Sequence, residues 1–214
     1  MKILDKKTLF DSTNLGQDMA RKSVRGGLAT LSTQGVQFAL TIGSTAVLAR
    51  LLTPADYGLI GMVTVVVNFA QMFKNVGLSM ATVQKSDISN NQISTLFWIN
   101  LLISVILGFC ILAGAPLVAL FYGKPELTAV TAVLSLSFVL SGMTIQHRAL
   151  LQRHMQFGSL ATIQIVGLAI SIAVTIVLAC IGWRYWALVG GAIVLALAET
   201  LLTFFFCRWI PERM

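Results

Sequence analysis

The stretch ISTLFWINLLISVILGFCILAGAPLVAL, residues 93–120, contains no charged side chain. A soluble helix or strand of that length would interleave polar residues at its own period, and this one does not. Comparable apolar runs lie on both sides of it, at about 26–49, 54–83, 126–146, 157–181 and 183–207. The first holds 24 residues, which at about 1.5 Å each reach roughly 36 Å, enough for a hydrocarbon core of about 30 Å with some tilt. Across all 214 residues, 57% are hydrophobic and 11% charged, and mean hydropathy is +0.84. A soluble domain carries roughly a quarter charged residues, so the expected fold is an all-α integral membrane bundle of six transmembrane helices.

Turn chemistry separates the runs. Thr53, Pro54 and Asp56 have the spacing of a capping box with proline at the first helical position, and Ser89 to Gln92 repeats the spacing ahead of the third run. Pro116 is expected to kink or end that run, and Pro125 stands where a fourth helix would start. Trp183, Tyr185 and Trp186 fit an aromatic belt at one interface, and Trp209 fits the other.

The net charge of +7 does not point to nucleic acid, because the basic residues stand singly between apolar runs without an aromatic-basic face. Orientation explains them. The N-terminus, the turns after the second and fourth runs and the C-terminus together hold 12 of the 15 Lys and Arg residues. By the positive-inside rule both termini are expected in the cytoplasm, residues 1–25 as a basic leading segment and 208–214 as a tail. The leading segment lacks an apolar region with a small-residue cleavage site, so no cleaved signal peptide is expected. Cys110, Cys180 and Cys207 lie in or beside apolar runs without a CxxC or Cys/His pattern, which suggests neither a disulfide framework nor zinc.

Several residues are candidates for chemistry. Glu199 sits in LALAETLL, where an ionised carboxylate facing lipid would cost at least a few kcal/mol. It is either a cation or proton coupling site, or a group neutralised by a proton or by a snorkelling Arg. Thr64, Asn68, Gln71 and Asn75 form one polar stripe on the second run, and Gln34, Gln37, Thr41 and Thr45 form another on the first. The stripes suggest a hydrophilic cavity between the first two helices, or hydrogen bonds that hold the bundle together. Lys74 is placed to meet a phosphate or to snorkel, and Arg50 to meet an anionic substrate or to offset a helix dipole. His147, Arg148, Arg153 and His154 are read as a cytoplasmic turn, for which topology is a sufficient reason and metal binding a remote one. No enzyme motif (GxSxG, HExxH or a phosphate-cradling glycine loop) is present, and no cofactor is implied.

Five segments resemble one known family: LARLLTPADYG (48–58), GLSMATVQK (77–85), QISTLFWIN (92–100), RALLQR (148–153) and YWALV (185–189). They are similar to motifs of bacterial oligosaccharide flippases, the polysaccharide and lipopolysaccharide branch of the multidrug/oligosaccharidyl-lipid/polysaccharide exporter superfamily. The resemblance covers residues 21 to 211. It implies a transporter rather than an enzyme, in the bacterial inner membrane, moving polyprenyl-diphosphate-linked oligosaccharide between leaflets by alternating access. It also implies two six-helix lobes around a cationic cavity, of which 214 residues hold one. By that resemblance the chain is the N-terminal lobe, completed by a second lobe or a second copy. On this reading Gln34, Gln37, Asn68 and Gln71 line the path, Arg50 and Lys74 attract diphosphate, and Glu199 is a coupling candidate. The competing readings are a membrane subunit that binds envelope-assembly partners without transporting, and a drug-cation antiporter, for which a single intramembrane carboxylate is sparse.

Overall fold

Two to four residues suffice for four of the connections in this bundle, and such short links force consecutive helices to run antiparallel. The computed structural model describes residues 19–74, 90–209 and 211. Its helices are α1 (Met19–Leu51), α2 (Pro54–Lys74), α3 (Asn90–Tyr122), α4 (Glu126–Arg153), α5 (Phe157–Cys180) and α6 (Tyr185–Phe206). Helices α2 to α6 are each long and apolar enough to cross a membrane. The 33-residue α1 matches α3 in length, but its basic first turns and its amide and hydroxyl side chains make it less apolar.

Several helix ends differ from the edges of the apolar runs. The first helix begins at Met19 instead of residue 26, and α4 continues to Arg153 instead of stopping near 146. Lys, Arg and Gln are good helix formers, so a charged residue ends the apolar run without ending the helix. His147, Arg148 and Arg153 are therefore helical, not members of a turn; the turn starts at His154, and Met155 there takes a positive φ of 52°. Pro116 does not end α3, which continues to Tyr122. A membrane bundle tolerates the loss of one backbone bond where neighbours compensate. The last helix starts at Tyr185, two residues later than the run. The continuation of the second run to 83, Asn75 and the Ser89 cap lie outside the described residues.

The pairs α3 with α4, α5 with α6 and α4 with α6 make the most extensive packing, so α4 and α6 are central. Close approach depends on small residues. Gly142 on α4 lies against Ser104 on α3, and Gly191 on α6 against Thr175 on α5, where a Cβ would collide with the neighbour. Such small-residue seams are how membrane helices gain packing when lipid supplies no hydrophobic drive between them. Ser171 Oγ strengthens the second seam by donating to the Gly191 carbonyl at 2.7 Å. The outward faces stay apolar: Leu120 and Phe121 are 81% and 83% exposed, which in water would be an aggregation surface.

The loop between α1 and α2 forms the expected cap. Thr53 N–H donates to Asp56 Oδ2 at 3.0 Å, the Asp56 N–H lies 3.4 Å from Thr53 Oγ1, and the Thr53 hydroxyl donates to Asp56 Oδ2 at 2.7 Å. Asp56 also faces Arg184 across the bundle, Nε to Oδ1 at 3.6 Å. This contact ties the α1–α2 turn to the α5–α6 turn, in which Arg184 adopts φ 50°, a costly conformation for a residue with a Cβ.

Candidate functional site

Ser137, Ser141, Thr144 and Arg148 succeed one another on α4 at steps of four, three and four residues. The spacing puts them on one face, which lines a crevice of about 470 Å³ between α2, α4 and α6. Thr64 and Gln71 line it from α2, and Glu199 and Thr200 from α6. Each hydroxyl is held to its own helix: Thr64 Oγ1 donates to the Ile60 carbonyl at 2.8 Å, Ser137 Oγ to Leu134 at 2.6 Å and Thr144 Oγ1 to Ser141 at 3.0 Å. Donating backward leaves their oxygen lone pairs on the crevice surface, so the wall is polar without costing the helices their ladders.

The charges in this wall are a pair. Arg148 Nη1 donates to Glu199 Oε2 at 3.0 Å, joining α4 to α6. The side chains remain 31% and 25% exposed, so the pair faces the crevice rather than the packed core. On α5, Gly167 backs Glu199 closely enough that a Cβ there would lie 3.2 Å from Glu199 Cγ. The structure pairs Glu199 with Arg148, the kind of partner that an ionised carboxylate in an apolar run requires.

Other sequence candidates are placed differently. Gln71 lines the crevice, whereas Asn68 is exposed outside it. Lys74 ends α2, and its side chain lies outside the described residues. The α1 stripe does not join the α2 stripe. Helix α1 packs on α5, Gln37 Nε2 donates to Gln164 Oε1 of that helix at 3.3 Å, and Gln34 is exposed. Arg50 is exposed at the end of α1, beside an apolar groove shared with Val47, Ile176 and Cys180. A polar stripe gives the angular position of a face but not the neighbour it meets. Sequence reading missed the α4 stripe, although its steps are those that singled out the α2 stripe.

A second polar feature lies at the end of α4 nearest α6's C-terminus. His147 is buried among Phe97, Phe204 and Trp209, with ring centroids 5.9, 4.7 and 5.3 Å away. Its Nε2 lies 3.1 Å from the Trp209 carbonyl, which ties the segment after α6 to α4. This is a packed joint, and its residues are not among the described residues that line the crevice.

With this geometry established, comparison with known proteins supplies the family. The sequence model described as "Polysaccharide biosynthesis protein" matches residues 47–214. The chain belongs to that family. Among family relatives, the lipopolysaccharide biosynthesis protein WzxC of Escherichia coli is 24% identical over 196 residues, 90% of this chain and 39% of WzxC. The succinoglycan biosynthesis transport protein ExoT of Rhizobium meliloti is 27% identical over 187 residues, 87% of this chain and 37% of ExoT. The teichuronic acid biosynthesis protein TuaB of Bacillus subtilis is 31% identical over 97 residues, 45% of this chain and 20% of TuaB. The chain thus spans less than two fifths of the length of these polysaccharide biosynthesis proteins. No solved structure matches it.

Proposed function

We propose that this chain is one lobe of an alternating-access exporter that moves polyprenyl-diphosphate-linked oligosaccharide across the bacterial inner membrane, with both termini in the cytoplasm. The observation that carries the reading is the crevice itself, a hydroxyl- and amide-lined surface with an Arg–Glu pair within a bundle whose outer faces are apolar. Sugar and phosphate cannot cross hydrocarbon unshielded, and a polar wall inside such a bundle is what shielding requires. Membership of the polysaccharide biosynthesis family and the transport function in ExoT's name support the same reading. The facing wall is supplied by a second lobe or by a second copy of the chain. Of the candidates, Gln71 contributes directly to the crevice wall, Arg50 and Lys74 attract the diphosphate at the two ends, and Asn68, Gln34 and Gln37 face the path once the facing wall is in place.

The test is transport by the reconstituted 214-residue chain, using a fluorescent polyprenyl-diphosphate sugar in liposomes and reading leaflet exchange. Exchange above protein-free liposomes that drops severalfold in Arg148→Ala supports an assembling flippase lobe. A folded chain that gives no exchange, as a single species or as a self-assembled dimer, overturns the reading in favour of a non-transporting partner subunit.

A further inference from the structure

The Arg148–Glu199 pair has the features of an exchangeable contact rather than a structural clamp. Of the five N–H donors of Arg148, one is engaged by a described residue, and Glu199 is the acceptor. The carboxylate has no second described partner. Behind it stands Gly167, which offers no side chain, and in front of it the crevice opens toward Gln71 and the α4 hydroxyls. Arg148 and Glu199 are the charged side chains among the described residues of that wall, from α2, α4 and α6 alike, and α5 adds none. Lys74 follows Gln71 by three residues on α2.

We propose that Glu199 is an internal competitor for an anion site at Arg148, and that a diphosphate entering the crevice displaces it. The planar guanidinium fork matches phosphate oxygens as well as it matches a carboxylate, and the doubly charged ligand wins on Coulomb attraction. The displaced carboxylate is partly exposed and turns to the water of the crevice. One Arg–carboxylate bond breaks and one Arg–phosphate bond forms. When the diphosphate leaves, Glu199 closes on Arg148 again. An empty crevice therefore never exposes a bare Arg to the membrane. The inference rests on the flippase reading for its ligand class, but it concerns equilibrium binding and can be tested without transport.

The experiment measures binding of inorganic pyrophosphate and, separately, of farnesyl diphosphate to the 214-residue chain in nanodiscs. Glu199→Gln removes the competitor and should bind about tenfold more tightly than wild type at pH 7.5, the scale of one charge-assisted bond. Arg148→Ala should lose the binding and Arg148→Lys retain part of it. Tightening with both ligands assigns the site to the diphosphate group, and tightening with farnesyl diphosphate alone restricts it to the lipid-linked form. Glu199→Asp, whose shorter arm reaches Arg148 less well, gives a second reading should the Gln variant misfold. Equal or weaker binding by folded Glu199→Gln overturns the proposal. Tighter binding by Glu199→Gln beside absent transport would leave the exchange standing and the flippase reading not. Transport with flat binding would do the reverse.

Discussion

Two carboxylates in this bundle each face an arginine, and their surroundings give them opposite duties. Asp56 is 3% exposed, accepts from both the backbone N–H and the hydroxyl of Thr53, and meets Arg184 from another turn. Glu199 is partly exposed, meets Arg148 once, and opens on a crevice. A carboxylate whose oxygens are filled by a cap cannot leave without orphaning a helix start, because first-turn N–H groups have few other acceptors. One held by a single donor beside water can exchange at small cost. The number and kind of hydrogen-bond partners, more than the charge pairing common to both sites, separates a joint from a working site.

The largest expected effect breaks the joint. Asp56→Ala removes the cap, the Thr53 hydroxyl's acceptor and the tie to Arg184, and should cost about 1–2 kcal/mol, a Tm drop of several degrees in detergent. Arg184→Ala, by contrast, should cost well under 1 kcal/mol, because its side chain is 69% exposed and solvent screens the pair. If the Arg184 change proved the more damaging, the cap would not be the main support of this end.

A smaller effect is expected at the working pair. Glu199→Gln keeps the shape and an acceptor oxygen for Arg148 and should shift stability by less than about 1 kcal/mol, in line with a partly exposed ion pair. A loss as large as that of Asp56→Ala would make Glu199 a second structural clamp and remove the contrast.

The sequence alone made the joint legible and the working pair only half so. Thr53, Pro54 and Asp56 form a local signal whose geometry is contained in four residues, and the cap forms as the spacing requires. Glu199 announced that it needed a partner, because an ionised group in an apolar run has few alternatives. The partner lies 51 residues away, and Arg148 looked like a turn residue because the apolar run stops before it although α4 does not. The α1 stripe illustrates the same limit: its period was legible, but its neighbour, α5 with Gln164, is a matter of tertiary packing. The helical membrane class needed no such long-range knowledge, since length and apolarity act segment by segment.

The smallest effect sharpens the comparison between the two ends through cysteine chemistry. Cys207 follows α6 and is fully buried beside Trp209 and Phe97, so packing keeps a thiol reagent from reaching it. Cys180 is exposed at the opposite end of the bundle, next to the turn that Arg184 joins to Asp56. A membrane-impermeant maleimide added to intact cells at pH 8 should therefore label Cys180, if both termini are cytoplasmic, and leave Cys207 unmodified. In open membranes Cys207 should stay slow as well, because packing shields it. Fast labelling of Cys207 at pH 8 would mean that the joint of His147, Trp209 and Phe97 opens in the membrane, and that this end moves as the crevice does.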